Sequence, residues 1–201
     1  MGRDDGRYFD SNISVVSPTT QVFPVRGTRN RILKTSRPGY PLGTNGHYVS
    51  HELVLEAVAT WKKKNVTDIV CLLTDGEQLL YYGFDLADFY KSQGFHVHYY
   101  PVPDHKIMRR ELALQMAENV EKRLKWKPKA GATKAKPKRI LFHCSAGIGR
   151  TNMAVACLLL YLKATGFIKN ITATLIPQTA QQTRLLDDFP EYVEAYLGTE
   201  K

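Results

Sequence analysis

Cysteine is scarce in this chain. Its 201 residues hold three, Cys71, Cys144 and Cys157, which do not make a disulfide-stapled scaffold. Free thiols suit a reducing compartment, so a cytoplasmic setting is expected, or a nuclear one in a eukaryotic cell. Metal-ligand spacing is missing too: the six histidines are scattered, and neither a metal nor another cofactor is expected. No stretch resembles a signal peptide or a spanning helix; the longest apolar run, Met153 to Leu160, reads as a buried core helix. No Gly-Lys-Ser/Thr occurs, which excludes a Walker-type nucleotide loop, and there is no internal repeat. Acidic residues are absent between Lys122 and Arg139, and this stretch accounts for the net charge of +9. Its low-complexity centre, with Lys127, Lys129, Lys134, Lys136 and Lys138, predicts a basic loop insertion at about 127–138. That loop could be a solvated connection, or could dock acidic protein, nucleic acid or membrane phosphates.

Against these absences stands His143-Cys144-Ser145-Ala146-Gly147-Ile148-Gly149-Arg150-Thr151. The apolar run up to Phe142 predicts a strand, and Met153 to Tyr161 predicts a helix. A tight glycine-bearing turn between them gathers backbone N–H groups at a helix N-terminus, which favours an anion. Ser145, Ala146, Gly147, Ile148 and Gly149 would cradle a phosphoryl group, and the Arg150 fork suits two of its oxygens. Cys144 supplies a nucleophile whose thiolate the helix end and Arg150 favour. Thr151 could direct its hydroxyl at the sulfur, easing its departure in a second step. His143 is expected to orient the loop through its ring hydrogen bonds.

The hydrophobic fraction of 43% suits one packed domain over residues 1–201, and a monomer is expected. Met1 to Asp10 is polar and expected to fray. Short strands are predicted at Ile13–Val16 and Gln21–Val25, and a long loop over Arg26–Gly43. Ser50 caps a helical pattern with Leu53, Val54, Ala57, Val58 and Trp61 on one face. A strand follows at Asp68–Leu73, a helix at Leu86–Ser92, a strand at His96–Tyr100, and helices at Arg109–Trp126 and Thr183–Leu197. Strands alternating with helices predict an α/β fold with a central, mainly parallel sheet flanked by helices on both faces. The cradle then lies at the carboxyl end of a central strand.

The cradle resembles the signature HCxxGxxR[ST] of the cysteine-dependent protein tyrosine and dual-specificity phosphatases. The resemblance implies a protein tyrosine phosphatase-like fold and two steps: a phosphocysteine intermediate on Cys144, then its hydrolysis, without a metal. Asn152 stands where many relatives carry glycine. Such families draw a general acid from a loop upstream of the nucleophile. Here Pro101-Val102-Pro103-Asp104 lies forty residues before Cys144, which implies Asp104 as the acid. The usual proline four residues later is replaced by Met108. Pro177-Gln178-Thr179-Ala180-Gln181-Gln182 resembles a segment with which some tyrosine phosphatases place water in the second step, through the positions of Gln178 and Gln182. The other reading of the segment is helix capping by Thr179.

Together with Thr67–Glu77, these segments resemble, in order, the cyclin-dependent-kinase-associated dual-specificity phosphatases and their microbial relatives over about Val66 to Leu197. A phosphorylated protein substrate is implied. RNA 5′-phosphates, phosphoinositides and inositol polyphosphates remain alternatives with the same chemistry, and an inactive phospho-binding module a third reading. The family carries a strand cysteine able to pair with the nucleophile. The matching position here is Leu73, with Cys71 two residues earlier, so a reversible Cys71–Cys144 disulfide stands beside the reading of Cys71 as a core thiol.

Overall fold

The computed structural model describes residues 21–43, 47–125 and 137–199. Met1–Asp10, expected to fray, the strand expected at Ile13–Val16, and Lys127, Lys129, Lys134 and Lys136 of the expected basic insertion lie outside the described residues.

Five strands form one sheet in the order β1-β2-β5-β3-β4. They are β1 (Phe23–Pro24), β2 (Ile32–Thr35), β3 (Asp68–Cys71), β4 (His96–Tyr99) and β5 (Ile140–His143). β1 runs antiparallel at one edge; all other pairings are parallel. Every residue of β3 and β5 is buried, as expected of parallel strands covered on both faces. The helices are α1 (His51–Lys63), α2 (Asp75–Tyr82), α3 (Leu86–Ser92), α4 (Arg110–Lys125), α5 (Gly149–Ala164) and α6 (Ala180–Thr199). One apolar layer joins Val54, Val58 and Trp61 of α1 and Tyr90 of α3 to Ile69, Cys71 and Leu141 of the sheet. The other joins α4, α5 and α6 to Val70, Ile140 and Phe142. α5 is buried almost all round, as befits a helix sandwiched between two others under the sheet. Among the described residues no helix is long and apolar enough to cross a membrane.

Local chemistry accounts for the ends of these elements. Ser50 accepts the Leu53 N–H and caps α1. Thr74 and Glu77 exchange side-chain and backbone bonds in a capping box at the start of α2, and Gly83 closes it in the left-handed conformation. Asp85 caps α3 through the Asp88 N–H.

The fold departs from the sequence reading in three places. β2 lies inside Arg26–Gly43, expected as a loop; its two adjacent apolar residues, Ile32 and Leu33, are buried through pairing with β5 rather than by a periodic pattern of their own. α2 was not anticipated, because Leu79 and Leu80 are exposed and blur its apolar face. The strand expected at Gln21–Val25 is reduced to two residues.

Register then positions the site. Thr35, His143, Cys71 and Tyr99 align across β2, β5, β3 and β4 and form the carboxyl edge of the parallel strands. The cradle follows His143, α2 follows the β3 end, and the Pro101–Asp104 loop follows the β4 end. Three segments distant in sequence therefore leave the sheet side by side, where open α/β sheets place ligands.

Candidate active site

Cys144 to Ile148 turn from β5 into α5. The turn needs glycine at 147: its φ is +75°, and a Cβ there would lie 2.3 Å from the Thr35 carbonyl oxygen. The Gly147 N–H donates to Cys144 Sγ at 3.3 Å. Cys144 is buried at 3% exposure, at the floor of the turn. Ser145 and Ala146 are half-buried, Gly147 and Gly149 buried, and Ile148 exposed at the rim.

Arg150, in the first turn of α5, is 2% exposed. Its Nη1 and Nη2 each donate to one carboxylate oxygen of Glu77 at 2.8 Å, and Nη1 also donates to the Val102 carbonyl at 2.8 Å. Burial alone would lower the Arg150 pKa and raise that of Glu77. Their mutual bonds and charges outweigh this, holding Arg150 above and Glu77 below its ordinary value. Arg150 stays charged and is fixed in one plane.

Asp104 reaches the same guanidinium, with Oδ1 3.0 Å from Arg150 Nη2. It is about half exposed, and its Oδ1 also accepts the His105 N–H at 3.1 Å. Met108, where the phosphatase pattern has proline, is 1% exposed and anchors the loop by its side chain. Val102 N–H donates to the Leu72 carbonyl at 3.1 Å, tying the loop to the end of β3.

Gln178 is exposed, and its amide oxygen would lie 2.1 Å from a Cβ built on Gly149. Only glycine at 149 lets that amide lie against the start of α5. Gln182 is fully buried: its Oε1 accepts the Gln178 N–H at 3.0 Å and its Nε2 donates to the Lys106 carbonyl at 3.2 Å. Gln182 thereby braces the segment at Gln178 against the loop at Lys106. Thr179 Oγ1 accepts the Gln182 N–H at 3.1 Å, so the capping reading of the segment holds as well.

One further expectation changes. Thr151 is buried, but its Oγ1 has no hydrogen-bond partner; the sulfur takes the Gly147 N–H instead. Cys71 and Cys144 are both free, and Cys71 packs in the layer with α1 and α3 while Cys144 belongs to the layer with α4, α5 and α6. The strand turns the Cys71 side chain to the other face of the sheet. Burial pushes the Cys71 and Cys157 thiols up to about 12, which leaves them protonated.

His143 is fully buried between the rings of Trp61 and Tyr90, at centroid distances of 6.0 and 5.6 Å. Its Nδ1 lies 3.2 Å from the Cys144 carbonyl. A carbonyl only accepts, so Nδ1 carries the proton and donates. Burial lowers its pKa to about 4; the ring is neutral at pH 7 and acts as a strut for the loop.

The site also contains residues that sequence reading missed. Glu77 was within a quoted segment, and its capping-box spacing from Thr74 was the available signal. Arg37 is 1% exposed, stacks 3.9 Å over the Tyr81 ring, and donates from its backbone N–H to the Ser145 carbonyl at 2.9 Å, bracing the cradle from outside. At the opposite edge of the sheet, Asp68, His96 and His98 bring ligand-type atoms within 4.8 Å of one another, a grouping that the scattered histidines did not suggest. Arg123 Nε already meets Asp68 Oδ1 there at 2.5 Å and supplies the positive charge that a metal would bring.

Comparison with known proteins agrees with this geometry. The family model for cyclin-dependent kinase inhibitor 3 (CDKN3) matches residues 51–171. Curated proteins of that name are similar over 145 residues, with 27% identity in Rattus norvegicus and 26% in Homo sapiens. The match covers 69% of this chain and 64% of each relative, so it spans less than two thirds of their length. Among solved structures, a kinase-associated phosphatase (KAP) with serine in place of its catalytic-site cysteine superposes with a TM-score of 0.64 at 21% identity, over 88% of this chain and 97% of that one. The active form of Tk-PTP gives 0.53 at 20% identity, over 80% and 92%. The fold is that of the protein tyrosine phosphatases, and the chain belongs to the cyclin-dependent kinase inhibitor 3 family.

Proposed function

We propose that this family member is a phosphomonoester hydrolase of the dual-specificity class, acting on phosphorylated protein. The observation that carries the reading is the convergence on one loop mouth of the Cys144 thiol, the Arg150 guanidinium and the Asp104 carboxyl, with Arg150 Nη2 3.0 Å from Asp104. In the first step Cys144 Sγ attacks phosphorus, the S–P bond forms, the ester O–P bond breaks, and Asp104 gives its proton to the leaving oxygen. Arg150 and the cradle N–H groups stabilise the equatorial oxygens as charge develops. In the second step water attacks phosphorus, the S–P bond breaks, and the water proton passes to the Asp104 carboxylate. Gln178, whose amide lies against Gly149, would hold that water.

A phosphoprotein substrate fits the family relation and a cradle without lysine. Polyphosphorylated small molecules are the second reading, for which a groove of about 490 Å³ beside the Asp104 loop offers Arg109, Arg110 and Arg184, partly offset by Glu111 and Asp188. The test presents phosphotyrosine and phosphothreonine peptides, an inositol polyphosphate and an RNA 5′-triphosphate to the protein and to its Cys144→Ser variant. Turnover of the peptides, lost in the variant, supports the proposal. Turnover that survives in the variant would overturn the cysteine mechanism.

A further inference from the structure

Asn152 stands one turn beyond Gly149 on α5, and residues three apart share a helix face. It is 6% exposed, yet both ends of its amide are engaged. Lys34 Nζ lies 2.8 Å from Oδ1, and Nδ2 lies 2.9 Å from the Ile176 carbonyl. An ammonium only donates and a carbonyl only accepts, so this pair of neighbours fixes the amide in one orientation. The face that α5 turns toward residues 176–178 thus carries glycine where the Gln178 amide must fit, and a locked amide where the backbone of Ile176 must be held. On the other side the Gln178 N–H is held by Gln182.

We infer that Asn152 is a positioning residue for the second chemical step: through Ile176 it sets where the Gln178 amide, and the water it holds, stand over the phosphocysteine. The inference rests on the phosphatase reading. The side-chain hydrogen bonds of Asn152 go to Lys34 and Ile176 and not to Cys144, Arg150 or Glu77, so the first step should not depend on it. The phosphatase signature tolerates glycine at this position, which would leave the Ile176 carbonyl without its donor. In this chain the segment is tethered by a side chain, and Lys34 of β2 orients the tether.

The experiment uses the whole protein with a labelled aryl phosphate and rapid quenching, so that formation and decay of the phosphoenzyme are measured separately. Two variants are compared. Asn152→Ala removes both contacts. Asn152→Asp keeps an acceptor for Lys34 and nearly the same shape, but cannot donate to the Ile176 carbonyl. Displacement of a positioning group by a fraction of an ångström to 1 Å costs about ten- to a hundredfold in rate. Both variants should therefore slow phosphoenzyme decay about tenfold, with formation within about twofold of the wild type. A parallel fall of both rates in Asn152→Asp would show a merely structural role, and unchanged decay in both variants would refute the inference. Gln178→Ala should reproduce the same split; if it does not, the water is placed by another group. Absence of any hydrolysis of the aryl phosphate by the wild type removes the phosphatase reading and this inference with it.

Discussion

Glu77 holds Arg150 by both carboxylate oxygens, each 2.8 Å from a different guanidinium nitrogen. The carboxylate comes from the first turn of α2, where the same group closes the capping box with Thr74. One side chain therefore fixes a helix end and the plane of the Arg150 guanidinium. Glu77→Gln keeps the shape but removes the charge and one acceptor. Breaking one side of a buried pair costs about 3 kcal/mol, and Arg150 would lose its single orientation. Expected outcomes are a lower unfolding midpoint in urea and a fall of about tenfold or more in kcat/KM. Wild-type stability with unchanged kcat/KM would show the fork to be dispensable.

Asp104 Oδ1 lies 3.0 Å from Arg150 Nη2, and in the proposed reaction a phosphoryl group would compete for the same nitrogen. Asp104→Asn should therefore have two opposite effects. It should slow transfer from alkyl phosphates by about 10²- to 10⁴-fold, the range for a positioned acid, and much less from aryl esters with acidic leaving groups. It should also tighten binding of inorganic phosphate, because a competing negative charge is gone. Equal losses for both ester classes would argue against the acid role; unchanged phosphate affinity would argue against the competition.

The parts of the site that share one local segment were the legible ones. Cys144, Gly147, Gly149 and Arg150 announce themselves because nucleophile, turn and helix start are consecutive, and Asp104 because two prolines precede it at a strand end. Glu77 and Arg37 were hidden by distance: Glu77 meets a residue 73 positions away and Arg37 one 108 positions away. Arg37 lies among other basic residues, where a solvated charge is the ordinary expectation; only the fold shows it buried against Tyr81. The parallel sheet was legible from β3 and β5, whose burial on both faces leaves unbroken apolar runs. β2 was not, because its burial comes from a neighbour 108 residues on in sequence, with Ile32 beside Ile140.

His143 provides a pH signature. Its folded pKa is about 4, and an unfolded histidine titrates near ~6.5. The unfolded chain therefore binds more protons between these values, and stability rises with pH across that window. Going down from pH 7, the histidine should cost on the order of 3 kcal/mol by about pH 4, with the loss beginning near ~6.5. His143→Asn retains a donor for the Cys144 carbonyl without the titration. Urea unfolding at a series of pH values should give a steeper fall for the wild type than for this variant between about pH 6.5 and 4. Equal slopes would mean that the ring is protonated in the folded protein.

Two cradle glycines should fail in different ways when replaced by alanine. At Gly147 the added Cβ meets the Thr35 carbonyl oxygen at 2.3 Å with φ at +75°; both partners are backbone and cannot yield. Gly147→Ala should cost about 2 kcal/mol or more in stability and abolish phosphate binding with it. At Gly149 the Cβ meets the far end of the Gln178 side chain at 2.1 Å, which can swing away. Gly149→Ala sits in the first turn of a helix, where alanine is the better helix former, so its unfolding midpoint should change little. Its cost should fall on the step that Gln178 serves: phosphoenzyme should accumulate and decay slowly, about tenfold by the same positional argument, while its formation persists. A loss of phosphate binding in Gly149→Ala as severe as in Gly147→Ala would show that the added methyl damages the anion cradle rather than displacing the glutamine.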